Sequence, residues 1–87
     1  MNKRYLCSMK KLVIVGCGRL AGIVSDAVVN GLLPEYDLVG VYSRTAEKAE
    51  RIVAKMQQHG KTCMACTTIE DLLALKPNYL VEAASPA

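Results

Sequence analysis

Short apolar runs and longer segments of helical spacing alternate along this chain. The short runs predict β-strands at residues 12–15, 38–42, 62–66 and 79–83. Between them, the spacing of apolar residues predicts helices over about residues 19–30 and 46–58, and a third helix capped by Thr67 or Thr68. The chain is therefore expected to fold in the order β-α-β-α-β-α-β.

The helical spacing also predicts which side chains face the core. These are Leu20, Val24, Ala27 and Val28 in the first helix, Ala49, Ile52, Val53 and Met56 in the second, and Ile69, Leu72 and Leu73 in the third. Right-handed crossovers place strands of this order in a parallel sheet with strand order 3-2-1-4 and helices on both faces. The predicted fold class is α/β, a partial Rossmann-type doubly wound sheet of about four strands.

A glycine turn follows the first predicted strand, and helix-forming residues follow the turn at once. Gly16 would allow a sharp turn, Gly18 would let a phosphate approach the backbone, and Ala21 would let the helix pack closely on the strand. Glycine pairs also end many ordinary strands, but here a strand precedes the turn and a helix follows it. Backbone N–H groups and the helix dipole then meet at one point, where a pyrophosphate can bind. The predicted dinucleotide-binding residues are Gly16, Cys17, Gly18, Arg19, Leu20 and Ala21.

The end of the second predicted strand bears on the choice of cofactor. An acidic residue there binds the ribose of NAD, but this chain has Ser43, Arg44 and Thr45 at that place. A guanidinium and two hydroxyls suit the extra phosphate of NADP, and the guanidinium can also lie flat on adenine. The alternative is an exposed turn in which Thr45 simply caps the next helix. We expect NADP at this position, with NAD as the alternative.

Length and charge restrict the class of protein. The 87 residues make at most one small domain, and 52% of them are hydrophobic. The net charge is +3, of which Lys3 and Arg4 supply two, so no basic stripe is present for nucleic acid or a membrane surface. No apolar run approaches the ~20 residues of a membrane span. Residues 1–8 show no periodicity and are expected to be a disordered extension, with residues 9–87 forming the domain.

The four cysteines do not form a dense disulfide framework, so reduced thiols in a cytoplasm are expected. Cys63 and Cys66 have the spacing found in some zinc and redox sites. On a strand, however, residues three apart point to opposite faces, so we expect two packing residues and no metal site.

The run VIVGCGRLAG…LVGVYSRTAEKAERI…TTIEDLLALKPNYLVEAAS resembles the N-terminal cofactor domain of the aspartate dehydrogenase and homoserine dehydrogenase group. It is also similar to the wider glucose–fructose oxidoreductase family. The resemblance covers nearly everything from Met9 onward. Its most specific part is the ending, with Asp71-Leu72-Leu73, Lys76-Pro77 and Val81-Glu82-Ala83-Ala84-Ser85.

The resemblance implies that Ala83, Ala84 and Ser85 line the cofactor and that Glu82 has a structural role. It also implies that the catalytic residue of such an enzyme, and its substrate domain, lie beyond Ala87, so no residue here is expected to be catalytic. The expected function is the NADP-binding part of an oxidoreductase that transfers a hydride between nicotinamide and a small polar substrate. L-Aspartate or a related amino acid is the leading candidate for that substrate.

Two alternatives stay open. One is a sugar or polyol dehydrogenase of the glucose–fructose oxidoreductase type, and the other is a non-catalytic nucleotide-binding or sensor module. We expect the 87-residue chain alone to be inactive. A homo-oligomer is possible, because the fourth strand leaves an exposed sheet edge.

Overall fold

The computed structural model describes residues 9–83. In that part of the chain, four strands alternate with three helices. The strands are β1 (Lys10–Val15), β2 (Tyr36–Tyr42), β3 (Met64–Cys66) and β4 (Tyr79–Glu82), and the helices are α1 (Arg19–Val29), α2 (Ala46–Gln58) and α3 (Ile69–Leu73). The expectations for residues 1–8, Ala84 and Ser85 lie outside the described residues.

The four strands form one parallel sheet in the order β3-β2-β1-β4. The predicted strand order and fold class are therefore confirmed. Because all four strands are parallel, their carboxyl ends lie together at one end of the sheet, which we call its carboxyl edge. Ligands bind at this end in such folds.

Alternate side chains of β1 pack into two separate cores, one on each face of the sheet. Leu12 and Ile14 belong to the larger core, together with buried residues of α1 and α2 such as Ala21 and Met56. Val13 belongs to the smaller core on the other face, with Cys66 and with Leu72 of α3. The predicted helices on both faces are thus present.

Strand β2 contains a register shift against β1. Leu12 pairs with Leu38, but Val13 pairs with Gly40, so Val39 is an extra residue. The shift places Leu38 and Val41 in the same core although they are three residues apart. It also brings Gly40 against Leu72 of α3 and against Leu75 just beyond that helix, where an added Cβ would lie 2.5 Å from Leu75 Cδ1.

The predicted inner face of α1 is partly wrong. Leu20 is 45% exposed, whereas Ala21, Ser25 and Val28 are the buried residues. A side chain in the first turn of a helix leans back toward the N-terminus, which agrees with the exposure of Leu20. Gly31, with φ 76°, ends the helix region as predicted.

The predicted inner face of α3 is wrong at two of its three positions. Leu72 is fully buried, but Ile69 is 44% and Leu73 50% exposed. A helix of five residues makes little more than one turn, so it presents a single position to the sheet. The predicted cap is confirmed, since the Thr68 hydroxyl accepts a hydrogen bond of 3.0 Å from the Asp71 N–H.

Candidate functional site

The glycine turn after β1 is tied to both neighbouring strands. Gly16 has φ 87°, a conformation that residues with a Cβ rarely adopt, and its N–H donates to the Tyr42 carbonyl at 2.6 Å. The Gly18 N–H donates to the Ala83 carbonyl at 3.1 Å, and the Ala83 N–H donates to the Val15 carbonyl at 2.7 Å. These bonds hold the turn at the carboxyl edge of the sheet.

The start of α1 has the properties of an anion site. Its N-cap is Gly18, which supplies no side chain, and its first turn contains no acidic residue. The N–H groups of Arg19 and Leu20 precede the first intrahelical bonds, and no acceptor for them lies among the described residues. The helix dipole adds partial positive charge at the same place. A phosphate group would satisfy both donors.

A cavity of about 460 Å³ lies at this edge of the sheet. Its lining brings together six of the predicted residues, namely Gly16, Cys17, Gly18, Ser43, Arg44 and Thr45. Four others do not line it: Arg19 and Leu20 are exposed beside it, while Ala21 and Ala83 are buried behind it. The complete burial of Ala21 agrees with close packing of α1 on the sheet.

The loop after β2 forms one wall of the cavity. The Ser43 hydroxyl accepts a hydrogen bond of 3.2 Å from the Thr45 N–H, which shapes the loop. Thr45 is the N-cap of α2, as predicted, but its side chain makes no capping bond. Arg44 is exposed, and no described carboxylate pairs with it. The Thr45 hydroxyl and the Arg44 guanidinium are therefore both available to a ligand.

The site includes a second cation, Lys48, that the sequence reasoning missed. Lys48 lies in the first turn of α2 and lines the same cavity. A helix dipole disfavours positive charge in the first turn, and an anion bound in the cavity would offset that cost. Burial raises the pKa of the Cys17 thiol, while a hydrogen bond with Ser43 and the positive charge of Lys48 oppose that increase.

Four further lining residues were not expected there. Val15, Tyr42 and Glu82 are the last residues of their strands, so their position at the carboxyl edge was available from the predicted topology. Ile69 also lines the cavity, although its spacing had predicted a core position.

The two cysteines at metal-site spacing lie in different cores. Cys63 packs in the α1 and α2 core, and Cys66 packs in the α3 core, so the two thiols diverge as expected, although β3 is shorter than predicted and Cys63 directly precedes it. Burial raises the pKa of Cys63 to about 12. Within residues 9–83, no group of three or more His, Cys, Asp or Glu side chains is placed to hold a metal ion.

Among the residues that the structure describes, no helix combines the length and apolar character needed to cross a bilayer.

Comparison of the sequence with known proteins finds relatives that are named L-aspartate dehydrogenase. The chain is 33% identical over 81 residues to an L-aspartate dehydrogenase of Methanocaldococcus jannaschii, with 88% of this chain and 27% of that protein covered. It is 26% identical over 77 residues to an L-aspartate dehydrogenase of Methanococcus maripaludis strain C7, again with 88% and 27% covered. The chain thus spans 27% of the length of these curated relatives. No family model matches it.

The fold is also similar to a crystal structure assigned as an NADPH-dependent oxidoreductase from Desulfitobacterium hafniense DCB-2. The TM-score is 0.67 at 26% sequence identity, covering 87% of this chain and 20% of that chain. The chain has a partial Rossmann-type α/β fold, and it is similar in sequence to L-aspartate dehydrogenases and in fold to an oxidoreductase.

Proposed function

We propose that this domain binds NADP in the cavity at the carboxyl edge of its sheet, as the cofactor-binding part of an L-aspartate dehydrogenase-like enzyme. The observation that carries the proposal is the start of α1, where two backbone N–H groups follow a glycine N-cap and have no acceptor within residues 9–83. The pyrophosphate would bind there, because Gly18 places no side chain between the phosphate oxygens and the N–H groups.

The loop after β2 supports NADP over NAD. Ser43 stands where a carboxylate would accept hydrogen bonds from the ribose of NAD. Arg44, Thr45 and Lys48 line the adjoining part of the cavity, and together they offer two positive charges and a hydroxyl. A 2′-phosphate suits that set, since charge-assisted bonds from arginine and lysine to phosphate are strong.

The substrate proposal rests on the relatives alone. They are named L-aspartate dehydrogenases, and we extend that substrate to the enzyme of which this domain would be the cofactor-binding part. NADP would supply the hydride chemistry, and the residues of this domain would bind and orient it. Ala83 is held beside the turn by its two backbone hydrogen bonds, and Ala83, Ala84 and Ser85 are proposed to line the cofactor.

Location and assembly are further proposals. Cys17, Cys63 and Cys66 are free thiols, which agrees with a reducing cytoplasm. Strand β4 pairs with β1 alone among the described strands, so its other edge is available to a second copy of the chain.

Titration of the protein with NADPH and with NADH tests the proposed function. We expect NADPH to bind at least about tenfold more tightly, because charged hydrogen bonds to the 2′-phosphate contribute about 1.5–3 kcal/mol. Replacing Lys48 by Met should weaken NADPH binding by about tenfold and leave NADH binding nearly unchanged.

Lys61→Met is the matched control, because Lys61 lies beyond the opposite end of α2. It should bind both cofactors as the wild type does. Equal affinities of the wild type for NADPH and NADH, or a preference for NADH, would contradict the phosphate assignment.

A further inference from the structure

We infer that Ile69 is the apolar surface on which the adenine base of the bound cofactor rests, with the Arg44 guanidinium on the other side of the base. The inference rests on the proposed function, since it assigns a residue to one end of the same cavity. Ile69 is 44% exposed, and it lines the cavity together with Arg44.

The local structure explains why Ile69 is at the cavity. It is the first residue of α3, and the hydrogen bond between the Thr68 hydroxyl and the Asp71 N–H fixes where that helix begins. A helical side chain leans toward the helix N-terminus, which here lies at the carboxyl edge of the sheet. Leu72, three residues later, fills the core position instead.

The chemistry of the lining indicates what Ile69 contacts. The side chains of Ser43, Arg44, Thr45 and Lys48 offer polar or charged groups that suit the phosphates and the ribose. The flat faces of the two bases are the apolar parts of a dinucleotide. An aliphatic side chain in this wall therefore suits a base, and a guanidinium stacks well on the opposite face of an aromatic ring.

The sheet order decides between adenine and nicotinamide. Ile69 follows β3, and β3 neighbours β2, whose following loop carries Arg44 and Thr45. Strand β4 lies on the other side of β1. The 2′-phosphate belongs to the adenosine half, so the adenine is on the side of Ile69 and the nicotinamide is directed toward β4.

Binding measurements on the 87-residue protein test the inference with three ligands: NADPH, adenosine 2′,5′-bisphosphate, and ribose 2,5-bisphosphate, which lacks the base. For Ile69→Ser we expect the Kd of the first two to rise by about fivefold, as loss of part of an isoleucine contact predicts. The Kd of ribose bisphosphate should not change. Ile69→Leu should bind all three as the wild type does.

Leu73→Ser is the matched control, because Leu73 is 50% exposed on the same helix and does not line the cavity. It should change none of the affinities. An equal loss in Leu73→Ser, an equal loss for ribose bisphosphate, or an unchanged Ile69→Ser would overturn the inference. If the serine variant unfolds, Ile69→Ala answers the same question. Failure of the wild type to bind NADPH would refute the proposed function itself.

Discussion

The two glycines of the turn have different roles at the scale of single residues. Gly16 needs to be glycine because its φ of 87° is costly for a residue with a Cβ. Gly18 has φ −83° and ψ −160°, which is extended backbone that any L residue adopts. Gly18 is therefore not required by the backbone conformation. Its missing side chain leaves space next to the helix N-terminus, where we place the pyrophosphate.

Replacing Gly18 by Val tests that distinction. We expect circular dichroism like that of the wild type, because Val is favourable in extended backbone and the N–H to Ala83 is retained. NADPH affinity should fall by at least about tenfold, because the side chain occupies the phosphate position.

Gly22→Ala is the control, because it also replaces a glycine near the turn but adds no side chain at the proposed phosphate position. Gly22 lies inside α1, and an added Cβ there meets nothing within 4 Å. That variant should bind NADPH normally and gain up to about 1 kcal/mol of stability from helix propensity. Undiminished binding by a folded Gly18→Val would show that the phosphate is held elsewhere.

At the scale of elements, the extra residue in β2 positions α3. The register shift at Val39 turns Gly40 toward α3, where the missing side chain lets Leu72 and Leu75 pack on the sheet. An added Cβ at Gly40 would lie 2.5 Å from Leu75 Cδ1 and 3.0 Å from Leu72 Cδ1.

Gly40→Val should therefore destabilise the protein by about 1–3 kcal/mol through overpacking. Denaturant unfolding of this variant, of Leu75→Ala and of the double variant measures the coupling. We expect the cost of Gly40→Val to be smaller in the Leu75→Ala background, because the shortened side chain leaves room for the new methyl groups. Strictly additive changes would mean that the Leu75 side chain does not approach Gly40 as described.

For the whole molecule, the parallel sheet gathers the functional loops at one end. The turn after β1, the loop after β2, the start of α3 and the end of β4 all contribute to the cavity. His59, the one histidine of the sequence, is the C-cap of α2 and so lies at the opposite end of the sheet. The outer edge of β4 carries Tyr79 and Leu80, each about half exposed. We predict that two copies of the chain associate through this edge. Sedimentation over a range of concentrations tests it.

The 87-residue protein alone should show no dehydrogenase turnover. Hydride transfer requires a group that handles the substrate proton within hydrogen-bond reach. Among the described lining residues, Cys17 and Lys48 lie where we place the phosphates and Tyr42 ends β2 on the proposed adenosine side, which leaves Glu82 at the end of β4. The assays are NADPH oxidation with oxaloacetate plus ammonia, and NADP reduction with L-aspartate. Turnover above background that disappears in Gly18→Val would contradict this expectation, and its loss in Glu82→Gln would then assign the proton transfer to Glu82.

Local spacing along the chain determined most of the fold. Strand and helix order, and from them the sheet order 3-2-1-4, follow from short apolar runs and helical periodicity, because handedness leaves few ways to connect parallel strands. The positions of Gly16, Ser43 and Arg44 at the carboxyl edge follow from the same reasoning. Alternation along a strand also predicts that Cys63 and Cys66 diverge, and they do, although Cys63 lies just before β3.

The tertiary structure alone decided features that depend on contacts between distant segments. The shift at Val39 arises from pairing between β1 and β2, which periodicity along one strand does not reveal. Leu20 and Ile69 have core spacing, yet each lies in the first turn of its helix, and nothing among residues 9–83 covers it fully. Lys48 joins the site because α2 starts at the same edge as α1. A pattern in sequence reports which face a residue lies on, but only packing reports whether another element reaches that face.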